Sequence, residues 1–207
     1  MRLISKDFRN MAWRALSSKW LFMAGITLIY GVFSGLISAI PFVGIIGALV
    51  ISGPLMFGFT LISMKIFRNE VAKVDDLFDG FKNFNQSFSL YIVNSVLIFL
   101  WSLLFIIPGI IKSYAYSMSY YILADNPTLT QSEARRRSEQ LMNGHKFRLF
   151  CLHLSFFGWY LLSALTGGIL LFWVIPYVQV ATAAFYDDLI EYTNDKYDPN
   201  STLNFIN

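Results

Sequence analysis

The chain holds a single cysteine, Cys151, in 207 residues. That excludes an internal disulfide and any metal site built from several thiolates. Histidine is nearly as scarce: His145 and His153 stand alone and leave little for metal chemistry. Asp, Glu, Lys and Arg together make up 14% of the chain, against about 25% in soluble domains. The sequence has no phosphate-cradling glycine loop, no paired-histidine zinc motif and no nucleophile elbow. No cofactor, metal or catalytic set is expected from it.

Apolar surface is what the chain has in excess. Hydrophobic residues account for 56% and the mean hydropathy is +0.52, more than a soluble core could hide. The charge-free runs are decisive. Trp20 to Met64 is 45 residues without Asp, Glu, Lys or Arg, Asn83 to Ile111 is 29, and Leu149 to Tyr186 is 38. About 20 apolar residues in a helix cross the hydrocarbon core. Unpaired backbone groups are costly in lipid, so these runs should be helical.

These lengths predict an all-α integral membrane protein with six transmembrane helices arranged as three hairpins. The spans fall at about 20–40, 43–66, 86–107, 109–125, 147–166 and 168–189. The basic start would suit a cleaved signal peptide, but Trp20 to Ile40 exceeds the usual 7–15-residue apolar region and reads as a retained helix. Residues 1–19, with Met11, Trp13 and Leu16 among five basic groups, read as an amphipathic lead-in on the inner surface. Gly31 and Gly35 have the spacing that lets membrane helices approach closely. Pro41 should end the first span. Gly53-Pro54 should kink the second, and Pro108-Gly109 should stop the third. Residues 65–85 suit a short interfacial helix ending at Gly80.

The stretch 109–125 is short and hydroxyl-rich for a span. Basic loops stay on the cytoplasmic side. Lys65, Arg68, Lys73 and Lys82 precede the third span, and Arg135, Arg136, Arg137, Lys146 and Arg148 follow residue 125. An even number of crossings must separate them, so 109–125 should return through the bilayer. Fifteen of the 16 basic residues and all 13 acids then lie on one face, Lys112 excepted. Both termini are cytoplasmic. In the connection 126–147, Thr130 and Glu133 have capping-box spacing, with Asn143-Gly144 as the helix stop. Gly167-Gly168 should make the last outer turn. Residues 190–207 read as a polar cytoplasmic tail that frays from Glu191.

The chain also shows weak self-similarity. Leu77-Phe78-Asp79-Gly80-Phe81-Lys82 parallels Leu141-Met142-Asn143-Gly144-His145-Lys146, 64 positions on. Pro41, Pro108 and Pro176 recur near outer turns. Both features suggest repeated hairpins.

Several segments together resemble a bacterial family of uncharacterised integral membrane proteins, catalogued as domain of unknown function 975. They are Leu77 to Phe81, Ile107 to Tyr114, Ile122 to Pro127, Ser138, Leu141 to Lys146, Ser155 to Trp159 and Pro176-Tyr177. There is also a distant similarity to the membrane domain beside some glycerophosphodiester phosphodiesterases. The resemblance implies a six-helix fold in the bacterial plasma membrane. It supplies no activity and no catalytic residues.

The candidate contacts follow from polar groups within spans. Lys112 either meets an anionic group near the outer leaflet or snorkels to the interface. Ser113, Tyr116 or Ser117, and Tyr120 lie at helical spacing, with Tyr114, Met118 and Tyr121 beside them. Such a face suits a polar cleft or interhelical hydrogen bonds. Asn94 and His153 fit the same two readings, and no acid within a span is placed to couple ion flow. Arg135, Arg136, Arg137 and Lys146 are candidate contacts for anionic lipid. The expected partners are the bilayer, and a membrane-protein partner or a second copy, but not nucleic acid. The leading functional expectation is a non-enzymatic protein that binds or moves a lipid-like or small amphiphilic molecule, or supports a membrane complex. The alternatives are an enzyme on lipid headgroups using Asp75, Asp79 and His145, and a purely structural or regulatory subunit.

Overall fold

The charge-free runs fold as helices, as the cost of unpaired amides in an apolar setting requires. The computed structural model describes residues 3–38 and 43–196, and among these there is no strand. The elements are α1 Ser5–Leu16, α2 Trp20–Ser38, α3 Val43–Phe67, a 3-10 turn Val74–Phe78, α4 Asp79–Lys82 and α5 Phe84–Leu104. They continue as α6 Ile106–Tyr116, α7 Ser119–Asp125, α8 Gln131–Leu141, α9 Lys146–Leu154, α10 Phe157–Leu165 and α11 Leu171–Lys196. Among the described residues three stretches are long and apolar enough to cross a membrane: Leu49–Phe67, Phe84–Leu104 and Lys146–Leu165. A fourth arises if α1 and α2, bent by 97° to one another, count as one broken span.

Several expected elements differ in detail. The 1–19 lead-in was expected to lay its apolar side on lipid. Instead Phe8, Ala12 and Leu16, at i, i+4 and i+8, are all buried, and α1 packs along α11. Phe8 meets Phe185 edge-on at 5.3 Å, and the Arg148 guanidinium lies over both rings. Of the apolar residues expected on the inner surface, Leu16 is buried in this contact, whereas Trp13 stays 50% exposed. The expected turn at Pro108-Gly109 falls earlier, at Phe105, whose backbone is extended. Pro108 sits inside the first turn of α6, where it lacks no needed donor. The single span at 109–125 is two helices, α6 and α7, broken at Ser117–Met118. The helix of the tail runs on past Glu191 to Lys196. Pro41 lies outside the described residues.

Close approach governs the 65–85 segment. The 3-10 turn and α4 climb the side of α3, where a β-carbon on Gly58 would overlap the Leu77 carbonyl and one on Gly80 would overlap that of Pro54. Leu77 is fully buried there, worth about 2 kcal/mol. Gly31 and Gly35, whose spacing suited either a helix contact or simply a glycine-tolerant membrane helix, meet nothing within 4 Å, which favours the second. The proposed repeat is not a repeat of backbone: Gly80 is helical and packed, whereas Gly144 turns the chain at φ +78° in open space. The other signals of chain direction do form. Thr130 Oγ1 accepts from the Glu133 amide, and Glu133 accepts from the Thr130 amide at 2.9 Å. Gly167 and Gly168 make the final turn at φ +64° and +88°.

Candidate functional site

Helix α6 stops at Tyr116 and α7 begins at Ser119, which frees backbone groups between them. Ser138 of α8 satisfies two of these. Its hydroxyl donates to the Ala115 carbonyl at 2.8 Å and accepts from the Met118 amide at 3.1 Å. The break redirects the hydroxyl face of 113–121, and it turns toward α5, α9 and α11.

A cavity of about 420 Å³ lies where these helices meet. Four of the five residues singled out in the sequence line it: Asn94 from α5, Tyr116 from α6, Tyr120 from α7 and His153 from α9. Ser113, Ser117 and Tyr121 add hydroxyls, and Gln179 and Thr182 face them from α11. Within the wall, Tyr121 donates to Gln179 Oε1 at 3.0 Å. Thr182 donates to the Val178 carbonyl at 2.8 Å, so it accepts from His153 Nε2 at 3.3 Å. His153 Nδ1 lies 3.5 Å from the Tyr114 hydroxyl. Asn94 Oδ1 and the Tyr120 hydroxyl are buried with no hydrogen-bond partner.

Lys112 does not belong to this wall, contrary to the expectation that grouped it with the cavity. Its ammonium pairs with Glu139 of α8 and lies 5.4 Å and 5.6 Å from the ring centroids of Trp101 and Tyr116. A lysine among apolar helices needs a counter-charge, and α8, which packs on α5, α6 and α7, brings one. The lone exception to the one-sided charge is thus joined to a residue of the basic connection. Of the basic residues expected at anionic lipid, Arg136 is exposed, Arg135, Arg137 and Lys146 are half-buried, and Arg135 donates to Gln131 at 2.9 Å. Lys146 opens α9.

Of the residues of the enzymatic alternative, Asp75 is exposed and the other two have partners of their own. Asp79 pairs with Lys82 at 2.7 Å, and His145 meets Arg148 and the ring of Tyr192. Among the described residues no group of three or more His, Cys, Asp or Glu could hold a metal ion.

Three features escaped the sequence. Arg68, just past α3, forks between Asp125 at the end of α7 and Asp187 of α11, both at 2.7 Å. The Tyr186 hydroxyl donates to the same Asp125 at 3.0 Å. The bonds to Asp187 and then Asp125 push the guanidinium above its already high range. The available signal was charge bordering each apolar run. A box of about 400 Å³ is walled by Trp13, Trp20, Trp159, Trp173 and Tyr177. Another cavity of about 400 Å³, with Tyr30, Phe59 and Phe172 in its wall, shares Met56, Ile175 and Gln179 with the hydroxyl-lined one.

No curated protein and no solved structure matches the chain, and the expected similarity to the membrane domain of glycerophosphodiester phosphodiesterases is not shown. A family model described as "Protein of unknown function (DUF975)" matches residues 1–112 and 104–193, which together cover nearly the whole length, and the chain belongs to that family.

Proposed function

We propose that this chain is a multi-pass protein of the bacterial plasma membrane that binds or moves a lipid-like or small amphiphilic molecule through the hydroxyl-lined cavity. The observation that carries the reading is the wall itself. Asn94, Tyr116, Tyr120 and His153 converge from four helices on one space of about 420 Å³, and two of its buried polar atoms have no partner. A purely structural core pairs such groups, because each left unpaired costs about 1–3 kcal/mol. Aromatic and aliphatic residues surround the polar ones, which is the usual make-up of a small-molecule pocket.

In this reading the chain crosses six times with both termini cytoplasmic, and α8 reaches from the inner surface along α5 and α6 to the depth of Lys112, where Glu139 meets it. The α6–α7 pair and the α9–α10 pair each serve as one broken crossing, and α11 as the last. Discontinuous helices suit a ligand site at membrane depth, since irregular backbone is tolerated where it lines a cavity. The Arg135–Arg137 face of α8 then rests against anionic headgroups.

The test is purified protein in liposomes. A ligand panel of lipids and small amphiphiles should contain members that raise the unfolding temperature or cross the vesicle wall. No stabilisation and no flux over a broad panel would sink the reading. The crossing number has its own test: reporters inserted after Asp125 and at Gly167 should report opposite sides, and the same side for both would overturn six crossings.

A further inference from the structure

The cavity's chemistry narrows the ligand class. No Asp, Glu, Lys or Arg is among the residues that line it. The one wall residue able to carry a positive charge, His153, has both ring nitrogens turned to hydroxyls, those of Tyr114 and Thr182, and neither to a carboxylate. A phosphate or ammonium entering this space would meet no opposite charge, and an unpaired ion in an apolar surrounding is very costly. The site therefore selects against ions.

The two unpartnered atoms say what it selects for. Asn94 is 7% exposed and Tyr120 is 9% exposed, and both line the cavity. Asn94 Oδ1 is a pure acceptor and needs a donor from the ligand. The Tyr120 hydroxyl can donate to a ligand oxygen or accept from one. A hydroxyl group, or two on neighbouring carbons, answers both. The adjoining cavity, which shares Met56, Ile175 and Gln179 with it, is walled largely by Tyr30, Phe59, Leu171 and Phe172. It suits an alkyl or isoprenoid chain, and Met56, a flexible side chain, stands in the wall that the two cavities share.

We infer that the ligand is an uncharged, hydroxyl-bearing amphiphile, its head between Asn94 and Tyr120 and its chain directed past Met56 into the second cavity. This rests on the amphiphile-binding reading and specifies it.

The experiment uses full-length protein in lipid nanodiscs and three probes with the same chain: monolauroylglycerol, its diacetate, and the corresponding lysophosphatidic acid. Unfolding temperature against probe concentration gives apparent affinities. Monolauroylglycerol should bind at least tenfold more tightly than either of the others. Asn94→Leu and Tyr120→Phe should each weaken monolauroylglycerol binding by at least fivefold. Asn94→Leu removes an acceptor for which the diacetate has no donor, so it should weaken monolauroylglycerol more than it weakens the diacetate. Both variants delete an unpaired polar atom, so they should fold as well as the parent. If the lysophosphatidic acid or the diacetate binds as well as monolauroylglycerol, the inference falls and the amphiphile reading stands. If monolauroylglycerol binds both variants as tightly as the parent, the head lies elsewhere and the inference falls in the same way. If no probe shifts the transition, the inference falls, and the broad panel decides the reading beneath it.

Discussion

The charged end of the molecule and the hydroxyl-lined cavity treat polar groups in opposite ways. At the charged end, Arg68 is matched by Asp125 and Asp187. Arg148 reaches Asp188 at 2.8 Å and the Leu3 carbonyl at 3.1 Å, and Lys65 meets Asp76 at 2.9 Å. These pairs tie the end of α3 to α7 and α11, and α9 to α11 and to the segment before α1. In the cavity, Asn94 Oδ1 and the Tyr120 hydroxyl are left unpaired a few residues from hydroxyls that are fully used. Thr60 Oγ1 and Gln86 Oε1 are also buried without a partner; what sets Asn94 and Tyr120 apart is that they line a cavity and Thr60 and Gln86 do not line it. Function is read here from the second set.

The largest expected effect breaks the first set. Arg68→Ala strands two carboxylates, and the loss should be roughly 2–4 kcal/mol, partial exposure keeping it below the cost of a fully buried pair. A thermal unfolding shift of several degrees checks it, with Arg68→Lys intermediate because it cannot fork to both acids. Next is Ser138→Ala, which leaves the Met118 amide and Ala115 carbonyl unpaired, and should lower stability by about 1–3 kcal/mol. Tyr120→Phe and Asn94→Leu should by contrast be neutral or slightly stabilising in the absence of ligand. If they destabilise as much as Ser138→Ala does, the distinction between the two regions collapses.

Smaller still is a pH effect on the loop against α3. Burial opposes the charge on Asp76, but the Lys73 amide at 2.8 Å and the Lys65 ammonium outweigh it and hold the carboxyl below its usual range. A carboxyl with a depressed folded pKa contributes stability that is complete above its unfolded value, about 4. That contribution, about 1 kcal/mol or less after solvent screening, should vanish as the pH falls below 4 through the folded value. Limited pepsin cleavage within 68–83 should rise over that window, and Asp76→Asn should cleave at the raised rate throughout it.

The sequence carried what is local. Runs without charge gave helices, and Thr130 with Glu133 gave a helix start. Gly144 and Gly167-Gly168 gave turns, because their positive φ depends on nothing distant. The hydroxyl spacing of Ser113, Tyr116 and Tyr120 was legible for the same reason, since helical periodicity alone puts them on one face. What was hidden depends on a partner far along the chain. The stripe of α1 could not announce that α11 would cover it. The break at Ser117–Met118 is viable only because Ser138 arrives from twenty residues away. Lys112 looked solitary until Glu139 was brought beside it. The close approaches of Gly58 and Gly80 were equally invisible, as a glycine does not name its neighbour.

Ser138 and Glu139 are adjacent in the chain, and both grip the same short helix: one closes its broken end and the other holds Lys112, a turn before it. Tyr116 and Ser117, which line the cavity, lie between those two attachments. Helix α8 and that stretch of wall are therefore one mechanical part. To shift α8 is either to carry Lys112 and the Ala115–Met118 backbone with it or to break these bonds.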